Sequence, residues 1–238
     1  MNRFFIDSRQ GDSACIEGED HKHLSAVLRM KAGEQVMISD AKGRECLGTV
    51  VSILKERTEV ALLPWGPALG EPEREITLFQ CLPKAGKMET ILQKGTELGV
   101  CGFVPVQSRR CVVQPGKDFD KKLARYQKVV KEAAMQSGRG IIPRVHPLER
   151  IDRLDLSAFE LTLVAYEGEL AYTLKAAIEG FVGKRIAILI GPEGGFEGEE
   201  VALLQSRCAR SVTLGRRILR TETAGMAMAA QILFALEG

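Results

Sequence analysis

Hydrophobic and polar positions change their spacing along the chain, and the change divides it into two parts. Up to residue 70, short segments rich in β-branched residues alternate with turns, which is typical of β-strands. These segments cover residues 4–6, 35–39, 46–53 and 59–63. One stretch differs, because Leu24, Val27 and Leu28 follow helical spacing within residues 20–30. The first part is therefore predicted to be a small β-rich domain over residues 1–70.

From residue 75 onward, predicted strands and helices alternate. The strands cover residues 76–80, 102–106, 161–165, 185–190 and 212–214. The helices cover residues 87–98, 118–136, 170–179, 199–206 and 221–236. Between the two parts, residues 64–72 contain three prolines and two glycines, the composition of a linker. The alternation predicts an α/β domain around a mainly parallel sheet over residues 75–238, with ligands bound beyond the carboxyl ends of the strands.

The net charge of +2 conceals a basic middle segment. Residues 84–150 contain 14 Lys and Arg but only 6 Asp and Glu, whereas acidic residues are in excess on both sides. A local positive field suits a polyanion such as RNA, although a solvated helix face has the same composition.

Other features of the composition exclude several classes of protein. The longest apolar runs, such as residues 186–190, are too short to span a bilayer, so no membrane partner is expected. An acid at Asp7 interrupts any signal-peptide core, which favours a cytoplasmic location. The six cysteines lack the spacing of metal ligands, so no metal site is predicted.

Two glycine-bearing loops follow predicted strands near the end of the chain. The first is Gly191-Pro192-Glu193-Gly194-Gly195, and the second is Leu214-Gly215-Arg216-Arg217-Ile218-Leu219-Arg220-Thr221-Glu222-Thr223-Ala224. Glycines let a backbone approach a ligand closely, but a bare turn before a helix would look the same. The first loop does not have the spacing of a dinucleotide or nucleotide-triphosphate motif. Thr221 is predicted to cap the last helix, whose small residues predict close packing within the domain or across a dimer.

Taken together, the two loops resemble the signature of the ribosomal RNA small subunit methyltransferase E family. Four further segments match the same family. They are Val27-Leu28-Arg29-Met30, Lys87-Met88-Glu89, Ser108-Arg109-Arg110-Cys111 and Gln136-Ser137-Gly138-Arg139. The resemblance covers nearly the whole chain, with one departure at Arg216, where many relatives carry proline.

The resemblance implies a fold and a reaction that the spacing of residues does not predict. The fold would be an N-terminal PUA-like β-barrel followed by a trefoil-knotted SPOUT domain in a homodimer. The reaction would be methylation of N3 of a uridine in small-subunit (16S) ribosomal RNA or the assembling 30S particle. The methyl donor would be S-adenosyl-L-methionine.

The chemistry of that reaction, placed on the matching residues, predicts their roles. N3 of uridine must lose a proton, so Arg220 is expected to stabilise the anion, and Glu193 or Glu222 to accept the proton. Glu222 could equally serve only to bind backbone amides. The expected cofactor contacts are Tyr166, Gly191, Glu193, Gly194, Gly195, Leu214, Gly215, Ile218, Leu219, Arg220 and Thr221. The expected RNA contacts are Arg29, Lys87, Lys94, Arg109, Arg110 and Arg139.

Two other functions fit parts of the sequence. A non-catalytic RNA-binding protein would explain the basic segment but would not need both glycine loops. A SPOUT methyltransferase acting on transfer RNA or on ribose hydroxyls would keep the fold, but the Lys87 and Gln136 segments favour the uridine-N3 family.

Overall fold

A computed structural model of the chain describes residues 1–84, 86–116 and 118–237. Ala85, Lys117 and Gly238, all inside the predicted second domain, lie outside the described residues. The chain divides into two compact units. The first consists of residues 1–71 and 134–142, and the second of residues 72–133 and 143–238. Residues 134–142 therefore group with the N-terminal unit, although the sequence prediction assigned them to the second domain.

The first unit is built on one mixed sheet. Its strands are β1 (Arg3–Phe5), β2 (Arg9–Gln10), β3 (Ser13–Glu17), β4 (Gln35–Ser39), β5 (Arg44–Ile53), β6 (Arg57–Leu62) and β7 (Gly66–Pro67). They pair in the order β1-β4-β5-β6-β3-β2, with β7 also on β5, and all pairs except β1–β4 are antiparallel. Fully buried Phe4, Ile16, Leu24 and Ile38 form its core.

The helical stretch of the first unit differs from its prediction over residues 20–30. It begins earlier, as α1 (Gly18–Lys22), and continues as a π-helical turn over His23–Val27. Arg29 then adopts a φ of 52°, a left-handed conformation that ends the helix.

Arg139, a predicted RNA contact, lies in the interior of the first unit. Its side chain is only 2% exposed, and its Nη2 lies 2.8 Å from Oε2 of Glu71. Glu71 also accepts hydrogen bonds from the amides of Gly140 and Ile141. A guanidinium held in this way is not available to an RNA phosphate, so the prediction for Arg139 is corrected: the residue is structural.

We therefore expect Arg139→Ala to act on stability. Removing one partner of a fully buried ion pair costs ~3–5 kcal/mol, and the residual exposure of Glu71 should reduce the loss to about 2 kcal/mol. Arg150→Ala, which breaks the exposed Arg150–Asp152 pair, should cost less than about 0.5 kcal/mol. Urea unfolding measures both variants. Weakened RNA binding at unchanged stability of Arg139→Ala would contradict the structural role.

The second unit is an α/β domain around a parallel sheet. Its strands are β8 (Glu75–Cys81), β9 (Gly102–Gln107), β10 (Arg144–Val145), β11 (Glu149–Arg150), β12 (Leu161–Ala165), β13 (Arg185–Ile190) and β14 (Arg210–Val212). The order is β10-β9-β8-β13-β12-β14, with β11 also on β9, and every pair is parallel. Central β13 is almost continuously apolar because both of its faces are covered.

The helices of the second unit largely follow the predicted spacing. They are α2 (Lys87–Glu97), α3 (Phe119–Ser137), α4 (Leu174–Ile178), α5 (Gly198–Ser206) and α6 (Thr221–Glu237). The last four residues of α3, 134–137, belong to the first unit. The prediction of a helix over residues 170–179 was too long at its start. Oε1 of Glu169 accepts the amides of Ala171 and Tyr172, and the hydroxyl of Thr173 accepts that of Ala176. These bonds fold residues 169–172 as a turn and cap α4 at Thr173.

The small residues of α6 pack within the second unit. A Cβ on Gly225 would lie 3.3 Å from the side chain of Leu78 in β8, and Met228, Ala229 and Ile232 are buried. The sequence predicted that these residues pack either within the domain or across a dimer. In the structure they pack against the chain's own sheet. Although α6 is rich in apolar residues, no helix within the described ranges is both long and apolar enough to cross a bilayer.

Candidate active site

A crevice of about 610 Å³ lies at the carboxyl ends of β12, β13 and β14. Its walls come from the segments that follow these strands, within residues 165–170, 190–196 and 213–221, together with Lys87 and Ala224. Parallel strands end at the same edge of a sheet, so loops distant in sequence meet there. The volume is within the roughly 300–1,000 Å³ of small-molecule sites.

Ten of the eleven residues predicted to bind the cofactor line this crevice. They are Tyr166, Gly191, Glu193, Gly195, Leu214, Gly215, Ile218, Leu219, Arg220 and Thr221. The exception is Gly194, whose carbonyl oxygen accepts a hydrogen bond from Nη1 of Arg110 at 2.9 Å. The fold therefore brings both predicted loops to one place.

Two positions in these loops need glycine for their backbone conformation. Gly195 has a φ of +67° and Gly215 a φ of +114°, both in the region that side chains disfavour. At Gly195 a Cβ would in addition lie 2.7 Å from Oε1 of Glu167. The course of both loops past the crevice therefore depends on glycine.

Thr221 joins the two loops, which differs from its predicted role as a helix cap. It is the first residue of α6 and is 5% exposed. Its hydroxyl donates to the carbonyl oxygen of Gly191 at 2.6 Å and accepts from Nε2 of Gln80 at 2.9 Å. The hydroxyl therefore links β8, the start of α6 and the first loop.

Lys87, Glu193 and Glu222 form an ion-paired cluster beside the crevice, and Lys87 and Glu193 belong to its wall. Nζ of Lys87 lies 3.0 Å from Oε1 of Glu193 and 3.0 Å from Oε2 of Glu222. The amide of Lys84 also donates to Oε1 of Glu193. Lys87 was predicted to contact RNA, but the structure places it between the two acids that were predicted to act in catalysis.

The cluster keeps both acids ionised. Partial burial acts to raise the pKa of Glu193, but the Lys84 amide and the Lys87 ammonium outweigh it and bring the pKa below its usual value. The backbone amide of Glu222 and the ammonium of Lys87 lower the pKa of Glu222. Hydrogen bonds from Lys87 to Glu222 and Glu193 raise the pKa of the lysine in return. Each acid is therefore a weaker base than an unpaired glutamate.

This arrangement predicts a pH-dependent loss of stability in Lys87→Met. Carboxylates with a lowered pKa contribute stability above their unfolded pKa of about 4.3, and this stability is lost as the pH falls through the folded value. Without Lys87 the two acids repel, so the variant should be less stable than the parent at pH 7, and the difference should shrink as the pH falls below about 4. Melting temperatures between pH 3.5 and 7.5 measure this.

Lys94→Met is the matched control, because Lys94 forms an exposed pair with Glu97 on the same helix. We expect little change in its melting temperature at any pH. A pH-independent effect of Lys87→Met would contradict the electrostatic role of the cluster.

The other predicted RNA contacts differ in how free their side chains are. Arg109 pairs with Glu197 and Glu199, and its amide donates to Glu200. Nη1 of Arg110 donates to the carbonyl oxygen of Gly194, and Lys94 pairs with Glu97. Arg29 is exposed, and the described residues provide no ion pair for it.

Two exposed arginines in the second loop were not predicted as RNA contacts. Arg216 and Arg217 line the crevice, and among residues 1–84, 86–116 and 118–237 neither has an acidic partner within ion-pair distance. Arg220, predicted to be catalytic, is likewise exposed at the crevice. Its carbonyl oxygen accepts the amides of Thr223 and Ala224, which begins α6 and fixes its backbone.

Comparisons with known proteins identify the family of this chain. An RNA methyltransferase domain matches residues 70–233, and an RNA methyltransferase PUA domain matches residues 16–63. The ribosomal RNA small subunit methyltransferase E of Bacillus subtilis is 34% identical over 94% of this chain and 93% of its own length. The chain belongs to the ribosomal RNA small subunit methyltransferase E family.

Two similar proteins have been solved with S-adenosyl methionine bound. The family member from Neisseria gonorrhoeae, solved with bound S-adenosyl methionine, has a TM-score of 0.84 at 30% identity, covering 99% of this chain and 98% of that protein. A Legionella pneumophila protein solved in complex with SAM has a TM-score of 0.85 at 27% identity, covering 98% and 97%.

Sequence reasoning also missed Gln80, which contacts a residue of the crevice wall. Gln80 is fully buried near the end of β8 and supports Thr221. A signal was present, because Gln80 is a large amide in the otherwise mainly apolar stretch Ile76–Cys81. A buried amide needs a hydrogen-bonding partner, which is a reason to suspect a specific contact.

Proposed function

We propose that this chain uses S-adenosylmethionine to methylate N3 of a uridine in small-subunit ribosomal RNA. The observation that carries the proposal is the meeting of both family loops at one crevice, at the strand ends where parallel sheets bind ligands. We also propose a PUA-like barrel over residues 1–70 for RNA binding and a knotted SPOUT domain over residues 75–238 for catalysis. The protein acts on the RNA or the assembling 30S particle, in the cytoplasm.

The crevice fits the cofactor in size and in chemistry. Its wall combines apolar Leu214 and Leu219 with the glycine backbone of two loops, which suits a nucleoside held by van der Waals contact and backbone hydrogen bonds. Tyr166, half-buried after β12, adds an aromatic surface. Gly191, Gly194, Gly195, Leu214, Gly215, Ile218 and Leu219 are the proposed cofactor contacts, with Glu193, Arg220 and Thr221 at the same site.

When bound, S-adenosylmethionine supplies a methyl group activated by a sulfonium. The chain must provide the other requirement, which is to make N3 of uridine nucleophilic. Loss of the N3 proton leaves a negative charge spread over the base oxygens, and a nearby cation stabilises that charge. Arg220 is exposed at the crevice with its backbone fixed by α6, so we assign this role to it.

Glu193 and Glu222 are the proposed proton acceptors, and their pairing with Lys87 limits how much they contribute. An acid whose pKa is lowered by an ammonium is a weaker base. Charge stabilisation by Arg220 therefore accounts for the larger part of the rate. Lys87 supports the acids and the loop, instead of contacting RNA.

The RNA surface that we propose differs from the one expected from sequence. Arg216 and Arg217, exposed beside the crevice and without acidic partners among the described residues, take the place of Arg139 as phosphate contacts. Arg29 remains a proposed contact in the first unit. Arg109, Arg110 and Lys94 contribute less, because acids or a carbonyl already bind them.

We propose that the protein is a homodimer. The exposed side chain of Phe234 on α6 offers an apolar contact to a second copy. Light scattering at micromolar concentration should give twice the mass of the chain, and Phe234→Glu should lower it. Val182→Glu, at another exposed apolar position of the same unit, should leave the mass unchanged. A monomeric parent protein would refute the dimer.

Calorimetry tests the cofactor assignment. S-adenosylhomocysteine should bind with micromolar affinity, whereas ATP and NADH should not bind. If ATP or NADH bound and S-adenosylhomocysteine did not, the proposal would be wrong. The alternative of a non-catalytic RNA-binding protein would then remain.

A further inference from the structure

We infer that Gln80 is a positioning residue, which sets the direction of the hydrogen bond between Thr221 and Gly191 and so the orientation of the first loop. This inference rests on the proposed function, because the loop is taken to bind S-adenosylmethionine. Gln80 itself lines no part of the crevice and acts only through Thr221.

The three residues form a short chain of hydrogen bonds beneath the crevice. Gln80 is 0% exposed, and its Nε2 lies 2.9 Å from the hydroxyl of Thr221. That hydroxyl lies 2.6 Å from the carbonyl oxygen of Gly191, the first residue after β13. These hydrogen bonds connect the end of β8 to the loop that follows the neighbouring strand, β13.

A second contact of Gln80 fixes which end of its amide faces Thr221. Nε2 also lies 3.1 Å from the carbonyl oxygen of Cys81. A carbonyl oxygen carries no proton, so the group beside it must be the NH₂ and not the oxygen of the side-chain amide. Rotating the amide by 180° would place two acceptors together at Cys81.

The direction of the bond from Thr221 follows from this assignment. An NH₂ group can only donate, so the hydroxyl of Thr221 must accept from Gln80. The single hydroxyl proton is then free to point at Gly191, whose carbonyl oxygen can only accept. The resulting bond holds the peptide between Gly191 and Pro192, where the loop leaves the sheet.

The burial of an amide at position 80 indicates that its NH₂ group is needed as a donor. Within the part of the chain that the structure describes, Oε1 of Gln80 is buried without a hydrogen-bond partner. An apolar side chain of similar size would avoid this unfavourable arrangement. A residue that served only to fill the core would not need an amide here.

Gln80→Glu tests the direction of the bond with almost no change in shape. When protonated, the acid can donate its single proton to Thr221, although not to Cys81 as well. When ionised, it can only accept, and it then competes with Gly191 for the hydroxyl proton. The affinity of the variant for S-adenosylhomocysteine, relative to the parent protein, should therefore fall as the pH rises from 6 to 9, by about tenfold.

The parent protein is measured at each pH because other groups that titrate lie near this network. Lys87 and Glu193 line the same crevice, Glu222 is ion-paired with Lys87, and Cys81 follows Gln80. Gln80→Met, which cannot donate at any pH, should bind more weakly than the parent without the added pH dependence.

Steady-state kinetics separates positioning from a general loss of structure. In Gln80→Glu at high pH, the KM for S-adenosylmethionine should rise while kcat stays near that of the parent, because Gln80 shapes the binding loop and takes no part in the chemistry. A merely structural role would lower kcat through a smaller folded fraction and leave KM unchanged.

The two proposals fail in different ways. If the parent protein does not bind S-adenosylhomocysteine, the proposed function is wrong. If the parent binds it but Gln80→Glu shows the same pH profile and KM, then Gln80 does not position the loop.

Discussion

Arg220→Ala should lower kcat by about two to three orders of magnitude while leaving the affinity for S-adenosylhomocysteine within a few-fold of the parent. Removing one preorganised group that stabilises charge in a transition state commonly costs this much. The side chain of Arg220 is exposed at the crevice, whereas its carbonyl oxygen, which begins α6, is unchanged by the substitution. Single-turnover methylation at saturating RNA measures the chemical step.

Arg217→Ala is the matched control for Arg220→Ala. It removes the same charge from the same loop, but from a residue that we assign to RNA phosphate. Its rate should recover at saturating RNA, because a high RNA concentration compensates for weaker binding but not for a slower chemical step. If the rate of Arg220→Ala recovered under the same conditions, Arg220 would act in RNA binding and not in the chemical step.

Gly195→Val should abolish detectable binding of S-adenosylhomocysteine, a loss of more than about a hundredfold. The left-handed conformation alone costs about 1–2 kcal/mol with a side chain present, and a branched Cβ costs more. The added Cβ would also lie 2.7 Å from the carboxylate of Glu167. The loop must therefore move, and the crevice wall moves with it.

Gly198→Val controls for adding the same side chain nearby. Gly198 has no positive φ, and a Cβ there would meet nothing within 4 Å. Calorimetry should show nearly unchanged binding for this variant. Equal losses in the two variants would show that the region tolerates no added volume, and that the loss in Gly195→Val does not come from its backbone conformation.

The spacing of apolar residues predicted much of the second unit. Strands such as Leu161–Ala165 and Arg185–Ile190 were located to the residue, because buried parallel strands are continuous apolar runs. Short strands such as Arg9–Gln10 and Arg144–Val145 were missed, since two residues carry no periodicity. The strand Ser13–Glu17 was also missed, although its residues alternate between exposed and buried positions.

The candidate site could be located from sequence more readily than its internal contacts. Two loops at strand ends predicted where the crevice lies, because parallel strands end together. Charge partners were not predictable, since Arg139 meets Glu71 and Lys87 meets Glu193 across long stretches of chain. A basic residue in a sequence indicates a charge, but only the fold shows whether an acid already binds it.

The modification in small-subunit ribosomal RNA tests the central claim most directly. The RNA from a strain that lacks this gene is digested and its nucleosides are identified by mass spectrometry. We predict that 3-methyluridine is lost, that the parent gene restores it, and that the Arg220→Ala gene does not. Unchanged 3-methyluridine in the deletion strain, or the loss of a different methylated nucleoside, would contradict the account.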